Sequence, residues 1–209
     1  VPAAYLVGRF AKGIDIRRYG SGNVGATNVG QHLGKGYFVL LAAFDVLSKG
    51  VGAVMVARML GLGLEGQALA ASLSAIGNNW SPYLCFSGGR GLAVILGALL
   101  ALSWGLFAAV VGVALVFGMA LRNMALWSGI SMALLPLWAR LLGEPPAIFW
   151  YSVAMLAAAA LKRLLSNPGT SLPGTIWKDR LLPRLLFDRD TWQPGDWVDR
   201  TPNDTPKAS

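Results

Sequence analysis

From Gly91 to Leu121 the chain carries no Asp, Glu, Lys or Arg. As one α-helix this run measures about 45 Å, against a bilayer hydrocarbon core of about 30 Å. A break at Ser103-Trp104-Gly105 resolves the excess and gives helices near 91–102 and 105–121. A run of this kind commits the fold, because in lipid every backbone polar group must be satisfied internally and a helix does so without partners.

The rest of the chain repeats the pattern. Between Lys35 and Arg58 only Asp45 and Lys49 interrupt an apolar stretch, and the segment between Glu65 and Arg90 is uncharged. These spacings predict helices near 37–60 and 66–77. Arg122 to Arg140, which carries Pro136, and Glu144 to Lys162, entered through Pro145-Pro146, bracket two more apolar runs long enough to span. Apolar residues make up 55% of the chain and charged ones 13%, the composition of an integral membrane protein. Val1 to Phe10 is apolar but too short to cross a bilayer. It reads as a first helix whose beginning is missing, as an interfacial lead-in, or as the remnant of a cleaved signal, although no basic n-region or A-x-A-like site is visible.

The net charge of +8 raises the question of nucleic acid, but the cations alternate with apolar segments instead of forming one stripe, so no nucleic-acid partner is expected. Threading the helices puts Arg9, Lys12, Arg17, Arg18, Lys35, Arg90, Arg122, Lys162 and Arg163 on one side and Arg58 and Arg140 on the other. The positive-inside bias makes the first side cytoplasmic. A single cysteine, Cys85, and a single histidine, His32, leave no disulfide and no metal site to expect, and no cofactor is implied.

Two polar segments fall on that expected cytoplasmic side. The first is Gly20-Ser21-Gly22-Asn23-Val24-Gly25-Ala26-Thr27-Asn28, within a loop spanning 20–36. Glycine permits positive φ and close approach to backbone N–H groups while Ser, Asn and Thr add short donors, a combination suited to a phosphate cradle as well as to an ordinary turn. The second runs from Gly77-Asn78-Asn79 to Gly88-Gly89-Arg90-Gly91. There a cation sits between glycines just before a helix N-terminus, chemistry that fits an anion and also fits a structural turn with a solvated Arg. Asp45 and Lys49 stand i,i+4 on one helix face inside an apolar run, where charges are expensive and should pair or face a hydrated interior. They are expected to form a supporting ion pair.

In order and spacing, Gly-Ser-Gly-Asn-Val-Gly-Ala-Thr-Asn-Val at 20–29, Asp45-Val-Leu-Ser-Lys49-Gly50 and Phe86-Ser-Gly-Gly-Arg-Gly91 resemble the bacterial acyl-phosphate:glycerol-3-phosphate acyltransferase family, across Val1 to Leu165. The resemblance implies an all-α, polytopic membrane protein of about seven transmembrane helices, the first truncated here, with short re-entrant or half-length helices, in a bacterial inner membrane. It implies transfer of a fatty acyl group from acyl phosphate to the 1-hydroxyl of glycerol 3-phosphate, giving lysophosphatidate and phosphate for phospholipid synthesis. Ser21 and Arg90 are the implied catalytic residues. Gly22, Asn23, Gly25, Thr27, Asn28, Lys35, Asn78, Gly88, Gly89 and Gly91 are implied phosphate binders. The family's usual polar or cationic groups are replaced by Gln31, Asn78, Ser87, Ala157, Ala159 and Ala160, and Arg90 stands where the second lysine of that motif usually does; of the third motif only Arg163-Leu164-Leu165 survives. Lys162, Arg163 or Arg122 can supply replacement charge.

The expected organisation is a membrane domain over 1–166 and an interfacial tail over 167–209. In that tail a short amphipathic helix around Trp177 to Phe187 is expected, with Trp192 and Trp197 as headgroup anchors and a disordered end from Thr201 to Ser209. A monomer in contact with membrane lipids is expected. A catalytically silent relative that binds phosphorylated lipid precursors, and a small-solute transporter, are the alternatives.

Overall fold

The structure, a computed structural model, describes residues 1–165 and Arg184. The described residues form helices and turns without a strand, and the chain divides into two compact units. The expectations for the tail around Trp177 to Phe187, Trp192, Trp197 and Thr201 to Ser209 lie outside the described residues.

Among the described residues, one unit contains residues 1–42, residues 78–90, residues 163–165 and Arg184. It opens with α1 (Ala3–Lys12), which ends where Gly13 takes φ +67° and its N–H returns to the Arg9 carbonyl. A 3₁₀ turn over Ile16–Arg18 follows, capped by the Asp15 carboxylate, which accepts the Arg17 N–H at 3.1 Å. The same carboxylate receives the Arg17 guanidinium at 2.6–3.2 Å, which holds Asp15 below the usual carboxylate range and itself lies over the Tyr5 ring. Next comes α2 (Ala26–Leu33), N-capped by the extended Gly25, then α3 (Lys35–Phe44). The turn between α2 and α3 is tight enough that a Cβ on Gly30 would sit 2.6 Å from the Phe38 Cβ. Ala4, Ile16, Val24, Val29, Leu41 and Leu84 form the core of this unit.

The other unit contains residues 43–77 and 91–162. Here α3 runs without interruption through a wider π-helical stretch, Asp45–Val51, into α4 (Gly52–Met59). Then follow α5 (Leu64–Asn79), α6 (Leu92–Leu102), α7 (Trp104–Ala120), α8 (Met124–Ala133), α9 (Leu135–Leu141) and α10 (Pro146–Leu165). The most extensive helix contact lies between α6 and the π stretch. Glycines make it possible: a Cβ on Gly50 would lie 2.5 Å from the Val94 carbonyl oxygen and 2.6 Å from the Gly97 Cα, and a Cβ on Gly97 would collide with the Val46 carbonyl. Backbone meets backbone, the arrangement that small residues allow between membrane helices.

A π turn bonds i to i+5 and displaces a carbonyl from the regular ladder. The Lys49 carbonyl accepts the Ser74 hydroxyl of α5 at 2.8 Å, tying the two helices at that point. The Asp45 carboxylate and Lys49 ammonium pair at 2.6 Å with both side chains largely buried. At Ser103 the helix breaks where the length argument puts the break: its hydroxyl accepts the Leu106 N–H as the α7 N-cap and donates to the Glu144 carboxylate.

Three expectations are corrected. The loop expected over 20–36 contains α2, so Thr27 and Asn28 occupy a first helical turn. The single helix expected from Arg122 to Arg140 is two, α8 and α9, parted at Leu134 because Pro136 cannot continue the ladder into the preceding turn. The helix expected over 37–60 is present but not regular, since it carries the π stretch.

The run Lys35–Met59 and α10 are long and apolar enough to cross a membrane, with 22% and 28% of their most apolar windows buried. Core helices of a soluble domain bury most of such a face; these leave Val39, Leu40, Leu47, Val56, Met59 and Trp150 outside. Apolar side chains in that position are matched by lipid.

Candidate active site

The two glycine-rich segments meet inside one unit. The Val24 N–H reaches the Gly88 carbonyl at 3.4 Å and the Gly89 N–H bonds the Asn78 carbonyl at 3.0 Å. This closure leaves no room for side chains. A Cβ on Gly89 would stand 3.0 Å from the Val24 carbonyl oxygen and 2.9 Å from the Asn78 amide nitrogen, and one on Gly88 would collide with the Asn78 and Asn79 carbonyls. Gly88 and Gly89 let two stretches of polypeptide touch backbone to backbone.

Each segment is held by a local device. The Asn28 side chain is buried, and its amide nitrogen donates to the carbonyls of Ile16, Tyr19 and Asn23 at 3.2, 3.0 and 3.1 Å. A single side chain thus gathers the loop from the 3₁₀ turn to Asn23. Gly20 and Gly22 take φ of +50° and +63°, a left-handed backbone that costs other residues more. The Ser21 hydroxyl accepts the Asn23 N–H at 3.4 Å. On the other side, Phe86 N–H returns to the Ser81 carbonyl at 2.9 Å and Ser87 N–H to Leu84 at 3.0 Å. Cys85 and Phe86 both adopt left-handed φ, so the chain reverses sharply just before Ser87-Gly88-Gly89-Arg90.

The residues expected from the sequence are thereby sorted. Ser21, Gly22, Asn23, Gly88 and Gly89 belong to this closed pair of turns, with Gly25 as the N-cap of α2, Asn28 in the first turn of α2 and Asn78 in the last turn of α5. Thr27 lies exposed in the first turn of α2, Lys35 is exposed at the start of α3, and Arg90 is half-buried directly after the turn. Gly91, with φ +71°, is the N-cap of α6 and belongs to the second unit, as does the Asp45–Lys49 pair. His32 packs edge-on to Tyr19, ring centroids 5.6 Å apart.

Sequence reasoning passed over Asn79. It is fully buried at the end of α5, and neither of its amide atoms has a hydrogen-bond partner among the described residues; the same holds for the side-chain oxygens of Asn23 and Asn28. Buried amides are normally bonded, and an unbonded one costs about 1–3 kcal/mol. The double Asn at 78–79 was the available signal. The closure thus brings Ser21, Asn23, Asn78, Asn79 and Arg90 into one unit. Among the described residues no group of His, Cys, Asp and Glu could hold a metal ion.

Comparison with known proteins extends the same reading. The family model for glycerol-3-phosphate acyltransferase matches residues 1–168. Glycerol-3-phosphate acyltransferase 5 of Dehalococcoides mccartyi is 34% identical over 96% of this chain and 88% of its own length. Glycerol-3-phosphate acyltransferase 1 of Deinococcus radiodurans is 54% identical over 47% of this chain and 49% of its own length. Among solved structures, PlsY (YgiH), an integral membrane glycerol 3-phosphate acyltransferase in its glycerol 3-phosphate form, superposes with TM-score 0.68 at 28% identity, over 77% of this chain and 84% of that one. Its lysophosphatidic acid form gives 0.67 at 26% identity. A membrane location agrees with the outward-facing apolar helices. By sequence over nearly its whole length and by fold, this chain belongs to the glycerol-3-phosphate acyltransferase family.

Proposed function

We propose that the protein transfers a fatty acyl group from acyl phosphate to the 1-hydroxyl of glycerol 3-phosphate, releasing lysophosphatidate and inorganic phosphate, at the closed pair of turns around Asn23 and Gly88. The observation that carries the proposal is the backbone closure of Val24 on Gly88 beside Arg90, in a chain of this family. Both substrates are phosphates, and one is also a lipid, which suits an oxyanion site in a chain with outward-facing apolar helices. The hydroxyl oxygen bonds to the acyl carbon, the bond from that carbon to the phosphate oxygen breaks, and the hydroxyl proton passes to the departing phosphate. The donor is already activated, so positioning and charge stabilisation carry the catalysis.

In this reading the Arg90 guanidinium binds the phosphate oxygens, and Gly22 and Gly89, whose N–H groups bond the Tyr19 and Asn78 carbonyls, shape the turns beside it. The Asn23 side-chain oxygen, without a partner among the described residues, accepts a glycerol hydroxyl. Asn28 acts by holding the loop, because its amide nitrogen is committed to three carbonyls. The Asp45–Lys49 pair supports the helix that follows. The active face is cytoplasmic and the protein a multi-pass component of the bacterial cell membrane, as its cation distribution indicates; it works as a monomer among membrane lipids.

Purified protein in lipid, supplied with glycerol 3-phosphate and in turn with acyl phosphate, acyl-coenzyme A and fatty-acylated carrier protein, is expected to form lysophosphatidate with acyl phosphate. Product from a thioester but not from acyl phosphate overturns the donor assignment. No product from any donor, with glycerol 3-phosphate still bound, identifies a silent relative.

A further inference from the structure

Arg184 lies beyond residue 168, where the family model ends. Yet its side chain is buried to 2% exposure, and its guanidinium donates from Nη1 to the Leu164 carbonyl at 2.8 Å, from twenty positions further along the chain. That carbonyl is in the last turn of α10, one of the four that a helix leaves without an internal acceptor role. A cation there also meets the negative end of the helix dipole. Of the described residues, Arg163, Leu164, Leu165 and Arg184 share a compact unit with both glycine-rich segments. The Dehalococcoides alignment covers 96% of this chain and so leaves at most about eight residues unmatched, which carries the likeness past Arg184.

We propose that Arg184 is a positioning residue: the C-terminal segment supplies a guanidinium that caps α10 and fixes its last turn, and with it Arg163, in the unit that holds the phosphate site. The segment beyond the family-matched region is then a working part of the enzyme. Arg163 is half-buried on the turn that Arg184 caps, and an Arg so placed can serve a phosphate only if its backbone is fixed. The cap acts on substrate through that turn and not by touching it, since Arg184 itself is buried. This inference rests on the acyltransferase reading for its kinetic half alone.

Full-length wild type, Arg184→Ala, Arg184→Lys, Arg163→Ala and the double Ala variant are compared in lipid nanodiscs by amide hydrogen exchange over 160–165 and by steady-state acyl transfer. Arg184→Ala is expected to speed exchange in that turn and to raise the KM for glycerol 3-phosphate about fivefold. Its melting temperature and its kcat are expected to stay near wild type, and added guanidinium ion to restore part of the loss. Arg184→Lys, which keeps charge but loses the planar fork, should fall between and guards against failure of the Ala variant to fold. In the Arg163→Ala background the further change is expected to be less than twofold. Unchanged exchange in Arg184→Ala overturns the cap. A lowered melting temperature with kinetic constants per folded molecule intact, or full additivity with Arg163→Ala, overturns the positioning role. Absence of acyl transfer by wild type overturns the functional reading instead, and exchange still decides the cap.

Discussion

Two side chains show how much a single residue can organise here. Asn28 reads in the sequence as one more polar member of a phosphate loop, and the structure spends its amide nitrogen on three backbone carbonyls. No spacing rule announces such a hub, because its partners lie five to twelve positions away. Asn28→Ala removes the shared donor that ties these carbonyls together, leaving Ile16 and Tyr19 only their backbone partners, and a loss of about 1–3 kcal/mol in unfolding free energy is expected, read as a lowered melting temperature in detergent. Arg17 presents the opposite case, a pair between neighbours that is legible once Asp15 is seen as a cap. The guanidinium lowers the Asp15 pKa. Its stabilisation is therefore present above the unfolded carboxyl value of about 3.9 and lost as pH falls through the lower folded value. The stability gap between wild type and Arg17→Met should shrink as pH drops below about 4; a gap that widens there would refute the pairing.

Among the elements, the break at Ser103 was legible because an uncharged run longer than the bilayer must bend, and Ser is a good N-cap. The π stretch was not: an apolar helix with one ion pair gives the same pattern whether its turns are regular or wide. Its cause is tertiary, the approach of α6 at Gly97 and the bond from Ser74 to the Lys49 carbonyl. The helix α2 was hidden for another reason, since Gly, Thr and Asn score as turn formers until a buried hub and a tight Gly30 turn fix them. Gly97→Ala forces a methyl into the Val46 carbonyl, and overpacking of this kind costs about 1–3 kcal/mol or more. Folded yield and melting temperature should both fall for Gly97→Ala, while Gly112→Ala, with open space around it, should match wild type. Equal behaviour of the two variants would contradict the close helix contact.

At the scale of the whole molecule, helices with outward-facing apolar side chains occur in the same chain as polar segments, distant in sequence, that close on each other within one unit. The order of the motifs made the family legible, and composition made the membrane legible. Asn79 was legible only as the second of two adjacent Asn residues, since its burial depends on the fold, and Arg184 was not legible because its partner is twenty residues back. The account stands on the turns around Asn23 and Gly88, with Arg90, forming one phosphate site. Lysophosphatidate formation from acyl phosphate and glycerol 3-phosphate, measured for purified wild type and Arg90→Ala, tests this most directly. The account predicts turnover by wild type and a loss of about 10²-fold in kcat/KM for Arg90→Ala at unchanged melting temperature; equal kcat/KM for the two proteins would contradict it.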